Sequence, residues 1–235
     1  MVSSGVFFSL SCLLIFAGFS QCSDDSSSKK VHYKLTYFQI RGRAEISRKI
    51  FAVAGQDYED IRIAREDWPA QKNSTPFGQL PLLNVDGEVL AQSHAIARYL
   101  ARKFGLNGKT EWEEAQVNAV ADQFKDYQDE LKPYYVVIAG LKEGDADKLR
   151  EEVFIPGFKK HFGFFSRILK ANPSGYLVGD GLTWVDLLIA EHVSDVLSAN
   201  PAAFDAFPEF KAHLEKVQAN ANLKKWIETR PQTPF

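Results

Sequence analysis

The segment KLTYFQIRGRAE, at Lys34–Glu45, constrains what this chain can fold into more than any other stretch. Alternating apolar residues predict a β-strand that ends just after Tyr37, and Gly42 closes a short turn. An amphipathic pattern typical of a helix follows at Arg43–Ala54. Because α/β folds bind ligands beyond the carboxyl ends of their strands, this unit predicts a phenol and a guanidinium beside a binding cleft.

Strand and helix patterns alternate over residues 32–108 and predict a thioredoxin-like domain. The strand patterns are Lys34–Gln39, Tyr58–Ile63, Leu80–Val85 and Val89–Ala91. Between them lie the helix at Arg43–Ala54, which Gly55 ends as a C-cap, and a short helical or irregular segment at Trp68–Lys72. Ser93 is predicted to be the N-cap of the last helix, which completes the order βαβαββα.

Helix-period patterns cover most of residues 109–235 and predict an all-α domain. The helical segments are about Glu111–Ala139, Ala146–Asn172, Thr183–Ala199, Glu209–Gln218 and a short one around Trp226. Thr110 with Glu113, and Thr183 with Asp186, predict capping boxes at the starts of their helices. The length of 235 residues is sufficient for the two domains.

Residues 1–22 predict a secretory signal peptide, and therefore a secreted, extracellular protein without a membrane span after cleavage. Val6–Phe19 is an apolar run of suitable length for a signal peptide and too short for a comfortable membrane span. An uncleaved anchor and a disordered leader are the alternatives. Residues 23–31, which include DDSSSKK, predict a flexible polar leader.

Charge and cysteine content exclude several classes of function. A formal net charge of −2, without a cluster of Lys and Arg, argues against nucleic-acid binding. Cys12 and Cys22 both lie in the leader, so the folded part is predicted to lack disulfides, a thiol nucleophile and a thiolate metal site. Asn73 begins the sequon Asn73-Ser74-Thr75, which is a glycosylation site in a secreted chain and an unused sequon otherwise.

Two further pairs, Leu80-Pro81 and Gln92-Ser93, follow at spacings that complete one cleft. Together with KLTYFQIRGRAE they resemble the glutathione transferases, most closely the sigma class, which includes the haematopoietic prostaglandin D synthases. The resemblance runs from about Tyr33 to the C-terminus. It implies a thioredoxin-like domain followed by an all-α domain, glutathione as cosubstrate, and conjugation to hydrophobic electrophiles by a homodimer. Hydroperoxide reduction and prostaglandin isomerisation remain open as side activities.

The resemblance makes Tyr37 and Arg43 the catalytic residues. A thiol of cysteine type has a pKa near ~8.5, and lowering it by ~2 units requires ~2.7 kcal/mol of preferential thiolate stabilisation. One hydrogen bond to a charged group supplies ~1.5–3 kcal/mol, so a single phenol donor is nearly sufficient. We therefore expect neutral Tyr37 to donate to the glutathione sulfur, with Arg43 adding a positive field.

The same resemblance assigns residues that bind glutathione, namely Tyr37, Arg43, Trp68, Lys72, Gln79, Leu80, Pro81, Gln92, Ser93 and, from the partner subunit, Asp126. Leu80, before a cis proline bond, is expected to pair with the tripeptide backbone. Ser93 is expected to direct its hydroxyl and nearby N–H groups at the γ-glutamyl carboxylate. Trp68 and Lys72, one helical turn apart, are assigned to the glycyl carboxylate, and the partner's Asp126 to the glutathione amine.

No metal is expected at the interface between the two subunits. Lys125 lies between Asp122 and Asp126, and its positive charge opposes the binding of a divalent cation there. The electrophile pocket is expected between the domains, with Phe38 and either Tyr134 or Tyr135 in its wall. The histidines show no ligand spacing and are interpreted as non-catalytic: His32, His94, His161, His192 and His213.

Two other classes of function are alternatives to conjugation. A non-catalytic ligand-binding or structural protein can use this fold, as the lens crystallins related to this class do, but retention of Tyr37, Arg43 and Gln92-Ser93 argues against it. A thioredoxin-like oxidoreductase needs a redox cysteine at the start of the first helix, and Ile40-Arg41-Gly42 contains none.

Overall fold

The computed structural model describes residue 1 and residues 30–233. The predicted signal peptide and nearly all of the polar leader lie outside the described residues. From Val31 onward the described residues form one compact unit. Within those ranges we find no helix with the length and apolar character that a membrane crossing requires.

A mixed four-stranded sheet flanked by helices forms the first part of this unit. Its elements are β1 (Tyr33–Phe38), α1 (Glu45–Ala54), β2 (Glu59–Ile63), α2 (Trp68–Gln71), β3 (Leu82–Val85), β4 (Glu88–Ala91) and α3 (Ser93–Lys103). Short 3₁₀ turns lie at Gly42–Ala44 and Lys72–Ser74. The strand order is β2-β1-β3-β4, with β1 parallel to β2 and antiparallel to β3. The predicted thioredoxin-like order is confirmed.

Alternation along β1 explains how the sheet presents Tyr37 to the interior. Tyr33, Leu35 and Tyr37 share one buried face of the sheet, since successive side chains of a strand point to opposite sides. Phe51 of α1 is fully buried and packs on Tyr33, with ring centroids 5.3 Å apart. Gly55 ends α1 with a left-handed φ of 63°, as the predicted C-cap requires.

Helices form the second part of the unit, as predicted. They are α4 (Glu111–Ile138), α5 (Ala146–Leu149), α6 (Ile155–Ala171), α7 (Trp184–Ala199), α8 (Glu209–Gln218) and α9 (Ala221–Thr229). Aromatic rings fill their core: the Phe162 ring lies 5.0 Å from that of Phe204 and 5.1 Å from that of Phe210. Because α7 and α9 both contact α1, the two parts share one hydrophobic core.

The helical segment predicted over Ala146–Asn172 is helical as far as Ala171, but it is not a single α-helix. A π-helical turn at Arg150–Phe154 joins α5 to α6, and α6 ends at Ala171. The turn places the Phe154 ring 5.0 Å from that of Tyr134. Apolar periodicity does not reveal such a turn, because its wider winding lasts for only a few residues.

The two predicted capping boxes differ in the structure. Thr183 N–H and Oγ1 both donate to Asp186 Oδ2, at 2.8 and 2.6 Å, and the box at α7 is complete. At α4 the Glu113 backbone N–H donates to Thr110 Oγ1 at 3.1 Å, but the Glu113 carboxylate accepts from Lys109 N–H instead. The prediction for α4 is therefore right for only half of the box.

Candidate active site

A cavity of about 460 Å³ lies where the end of β1, the start of α3, α4 and α7 meet. Tyr37, Arg43 and Ser93 line it, so the structure brings three predicted site residues together. Much of the remaining wall is apolar and comes from α4, the turn after it and α7: Phe124, Tyr135, Val136, Leu141, Leu187 and Leu188. A polar end beside an apolar wall suits a polar cosubstrate next to an apolar substrate.

Contacts with the Arg48 guanidinium and the Arg43 backbone hold Tyr37 in place. Its ring is buried, and the Arg48 guanidinium carbon lies 5.9 Å from the ring centroid. The backbone N–H of Arg43 donates to Tyr37 Oη at 3.2 Å. A phenol that accepts one hydrogen bond still has its own proton to donate, so the geometry leaves a donor at the cavity.

Gly42 allows the chain to pass over this hydroxyl. Its φ is +41°, and a Cβ built on it would lie 2.8 Å from Tyr37 Oη. A side chain at this position would therefore displace the phenol as well as strain the backbone. This explains why the turn in KLTYFQIRGRAE contains glycine.

Other predicted glutathione contacts lie beside the cavity and do not line it. The Leu80–Pro81 peptide bond is cis, as predicted, and Leu80 packs against the cluster that contains Tyr37. Gln92 Nε2 donates to Gln79 Oε1 at 3.5 Å, which brings these two amides together. Trp68 meets Phe38 edge-on, with ring centroids 5.9 Å apart. Lys72 is exposed, and its alkyl chain passes close to Gly78.

Ser93 differs from its prediction in one respect. Gln92, with a φ of 76°, is the N-cap of α3, and Ser93 is the first helical residue. The chain leaves β4 at Ala91 and must enter the helix within one residue, which the left-handed backbone at Gln92 achieves. Ser93 still lies at a helix N-terminus, where N–H groups favour an anion.

The candidates for the electrophile wall divide clearly. Tyr135 lines the cavity, whereas Tyr134 packs on Phe154 and Phe38 packs between Tyr37 and Trp68. Adjacent residues of a helix point about 100° apart, and the rotation of α4 turns Tyr135 toward the cavity and Tyr134 toward Phe154. The sequence left this choice open, and the packing decides it.

Asp126 lies on the exposed side of α4 and does not line the cavity of its own chain. Its neighbours are already engaged: Asp122 pairs with Arg98, and Lys125 pairs with Asp129 at 2.7 Å. In the part of the chain that the structure describes, no group of three His, Cys, Asp or Glu side chains could hold a metal. The resemblance assigns Asp126 to the glutathione of a second chain, and its exposure on α4 is compatible with that role.

Sequence comparison decides the family. The profile described as "Glutathione S-transferase, N-terminal domain" matches residues 33–102, and "Glutathione S-transferase, C-terminal domain" matches residues 128–230. The chain is 68% identical over 205 residues to probable glutathione S-transferase 7 of Caenorhabditis elegans, covering 87% of this chain and 100% of that protein. The chain belongs to the glutathione S-transferase family. Glutathione is accordingly its cosubstrate.

Solved structures of glutathione S-transferases superpose over the same range. A monomeric enzyme from the hookworm Necator americanus is 57% identical, with a TM-score of 0.84 over 87% of this chain and 100% of that one. A Nu-class enzyme from Haemonchus contortus is 56% identical, with a TM-score of 0.81 and the same coverage. A prostaglandin synthase D of Nilaparvata lugens is 35% identical, with a TM-score of 0.77 over 86% and 100%.

A cluster of ion pairs in this glutathione S-transferase was missed by the sequence analysis. Arg41 Nη1 donates to Glu191 Oε1 and Asp195 Oδ1, both at 2.6 Å, and Lys49 Nζ lies 2.5 Å from Glu191 Oε2. Arg230 Nη1, near the C-terminus, lies 2.9 Å from Glu191 Oε1. Arg41 and Glu191 are 150 positions apart, and no local pattern links them.

The same region fixes the loop that carries Arg43. Arg48 is fully buried, and its Nη1 donates to the carbonyl oxygens of Ile40 and Arg41, at 2.9 and 3.1 Å. Arg230 Nη1 and Trp226 Nε1 donate to Glu45 Oε1, at 2.7 and 2.8 Å. Arg48 of α1 therefore holds the loop after β1, and the C-terminal segment holds the start of α1.

Glu191 is expected to make folding stability depend on pH. Burial opposes its charge, but Lys49, Arg230 and Arg41 outweigh burial and lower its pKa from 4.5 to about 2. Stability from this carboxylate is thus present above pH 4.5 and is lost as the pH falls through about 2, with a total of about 3 kcal/mol. In urea unfolding at pH 7, the free energy of unfolding of Glu191→Gln should be well below that of the parent. The difference should shrink as the pH falls.

Asp205→Asn is the matched control for this measurement, since Asp205 is 68% exposed and pairs only on the surface with Lys211. Its free energy of unfolding should stay within about 0.5 kcal/mol of that of the parent at every pH. A deficit of Glu191→Gln that is constant from about pH 7 to about pH 3 would contradict the assignment.

Proposed function

We propose that this protein conjugates glutathione to hydrophobic electrophiles through a thiolate stabilised by the Tyr37 hydroxyl. The observation that carries the proposal is the hydrogen bond from Arg43 N–H to Tyr37 Oη, at 3.2 Å. This bond orients the phenol and polarises it, so its remaining proton is a stronger donor to an anion. The Arg43 guanidinium, exposed at the cavity, adds a positive field that favours the thiolate further.

The rest of the glutathione site is proposed from side chains around the same cavity. Ser93 at the start of α3 would bind the γ-glutamyl carboxylate, with the Gln92–Gln79 amide pair beside it. Leu80 would pair with the tripeptide backbone, in the manner of an added strand. The glycyl end would extend toward Trp68 and Lys72 of the next helical segment.

The electrophile would occupy the apolar wall formed by α4 and α7. The same thiolate can attack an organic hydroperoxide, and it can open a prostaglandin endoperoxide, so we propose both as side activities. A relative at 35% identity carries the name prostaglandin synthase D, which supports testing the second of these. Within the family we propose sigma-class chemistry, based on Tyr37 and Arg43 in KLTYFQIRGRAE.

Titration of glutathione bound to the whole protein tests this function. The absorbance of the thiolate should show a thiol pKa about 2 units below the ordinary value of ~8.5, and 1-chloro-2,4-dinitrobenzene should be conjugated. Binding of glutathione with an ordinary thiol pKa and no turnover would instead identify a non-catalytic ligand-binding protein of this fold.

We further propose that two copies assemble and that each completes the other's glutathione site. Asp126 is exposed and lies outside its own cavity, and Phe77 is a large apolar side chain that is 64% exposed. A carboxylate from a second chain would pair with the glutathione amine, and an exposed Phe is a suitable anchor for an interface. A monomeric relative at 57% identity makes the assembly state a necessary part of the test.

Asp126→Ala is expected to weaken glutathione binding about 10-fold while the dimer persists, because one charged hydrogen bond is lost. Calorimetry with glutathione and sedimentation velocity measure the two quantities. Asp129→Ala, on the same helix and paired with Lys125, is the control and should leave affinity unchanged. The proposed contact between subunits would be contradicted if the parent protein were a monomer. It would also be contradicted if Asp126→Ala bound glutathione as tightly as the parent.

Secretion and glycosylation are also proposed. The apolar run at Val6–Phe19 supports secretion, and Asn73 is exposed on the 3₁₀ turn at Lys72–Ser74, where an oligosaccharide has access. Mass spectrometry of protein secreted by a eukaryotic host should find a mature start near residue 23 and a glycan on Asn73. Retention inside cells would contradict the signal peptide, and an unmodified Asn73 in secreted protein would contradict glycosylation.

A further inference from the structure

A carboxylate on α7 interrupts the mostly apolar wall of the cavity. Asp195 lines the cavity, and 43% of its side chain is exposed. Leu188, which lies two helical turns before it on α7, lines the same cavity, so this face of the helix changes from apolar to charged along its length. Because the carboxylate is half-exposed there, its charge acts on whatever occupies the cavity.

The two carboxylates that share Arg41 are unequally paired. Arg41 Nη1 donates to Glu191 Oε1 and to Asp195 Oδ1, both at 2.6 Å. Glu191 also pairs with Lys49 and Arg230, at 2.5 and 2.9 Å. Among the described residues, Asp195 has no hydrogen-bond partner except Arg41. A carboxylate offers about four acceptor positions, so Asp195 keeps most of its capacity for a ligand.

The surroundings compensate the charge of Asp195 incompletely. Burial and the neighbouring Glu191 charge raise the pKa of Asp195 above its usual value. Arg41 and Lys49 act in the opposite direction and offset this rise only in part. A carboxylate whose charged form is disfavoured in this way is stabilised by any further positive charge beside it.

The loop after β1 connects this carboxylate to the phenol proposed for catalysis. Arg41 pairs with Asp195, and two residues later the Arg43 backbone N–H donates to Tyr37 Oη at 3.2 Å. The side chains that line the same cavity of about 460 Å³ include Tyr37, Arg41, Arg43 and Asp195. An electrophile that reacts at a sulfur held by Tyr37 can therefore extend toward Asp195 within one space.

We propose that Asp195 is a specificity-determining residue that favours electrophiles carrying an ammonium group at the end opposite their reactive carbon. The inference rests on the proposed function, since the thiolate at Tyr37 is the nucleophile. With a benzylic chloride of this kind, the thiolate electron pair forms the C–S bond, the C–Cl bond breaks, and chloride leaves with its electron pair. The ammonium group takes no part in these bond changes and lies against the Asp195 carboxylate.

Two substrates of the same shape isolate the effect of charge. 4-(Trimethylammoniomethyl)benzyl chloride and 4-neopentylbenzyl chloride share the leaving group and differ in that only the first is cationic. In Asp195→Asn the ratio of kcat/KM for the cationic chloride to kcat/KM for the neutral chloride should fall about 10-fold from its value in the parent. The attraction is lost in this variant, and the charge of Arg41 that remains repels the cation.

Two further variants complete the test. Asp205→Asn makes the same change of net charge on the surface, where Asp205 pairs with Lys211, and should leave the ratio unchanged. Asp195→Glu keeps the charge in the cavity and should retain most of the parent ratio. The ratio cancels any loss of folded protein, since both substrates report on the same active molecules.

An unchanged ratio in Asp195→Asn, or an equal fall in Asp205→Asn, would overturn the proposal while leaving the proposed function intact. Turnover of the neutral chloride by the parent reports the proposed function separately. Its absence would remove the proposed function and this inference together.

Discussion

Replacing Tyr37 with Phe is expected to leave glutathione bound while lowering its conjugation about 10- to 100-fold. The phenol is the donor that the geometry leaves free, because its oxygen already accepts from Arg43 N–H at 3.2 Å. Loss of that donor removes about 1.5–3 kcal/mol of thiolate stabilisation. The thiol pKa of bound glutathione should rise by about 1–2 units, measured through thiolate absorbance against pH.

Tyr33→Phe is the matched control for this variant. Tyr33 lies on the same strand and the same face as Tyr37, but it packs on Phe51 and does not line the cavity. It should leave the thiol pKa unchanged. Gly42→Ala should reproduce part of the Tyr37 defect, because a Cβ would lie 2.8 Å from the Tyr37 oxygen. An unchanged thiol pKa in Tyr37→Phe would remove the phenol from the mechanism.

The elements of the fold that the sequence predicted are those encoded by neighbouring residues. Alternation gave β1 to within one residue at each end, and Gly55 stops α1 because only a left-handed residue fits there. Asp86 and Gly87 both have positive φ, 52° and 103°, as the tight hairpin between β3 and β4 requires. Each of these signals depends on residues within about four positions of one another, so it can be recognised in the sequence without knowing how the chain packs.

The features that were missed depend on contacts between distant segments. From the sequence alone, Arg41 is indistinguishable from an ordinary exposed arginine. In the fold, α7 places Glu191 and Asp195 beside it. Which of Tyr134 and Tyr135 faces the cavity depends on how α4 is rotated about its axis. The helices that pack on α4 determine this rotation. Family resemblance supplied the glutathione residues, since Ser93 or Lys72 alone would be an ordinary polar residue.

The largest effect on stability is expected from Asp186→Ala. Asp186 is fully buried at the start of α7, and each of its oxygens accepts two hydrogen bonds. Oδ1 accepts from Leu177 N–H at 2.8 Å and from His213 Nε2 at 2.9 Å. Oδ2 accepts from Thr183 N–H and Oγ1, at 2.8 and 2.6 Å. One carboxylate therefore joins α7, α8 and the loop before α7.

Truncation at Asp186 leaves these buried donors without an acceptor, and each costs about 1–3 kcal/mol when unsatisfied. Because the donors share one site, the costs are not additive, and we expect a loss of about 4 kcal/mol in the free energy of unfolding. Urea denaturation of the parent and Asp186→Ala measures it, with Asp205→Ala as a surface control that should change stability by less than about 0.5 kcal/mol. Asp186→Asn keeps the shape and one acceptor oxygen, so it should fall between the parent and Asp186→Ala. A loss in Asp186→Ala no larger than that of Asp205→Ala would show that α7 does not depend on this carboxylate.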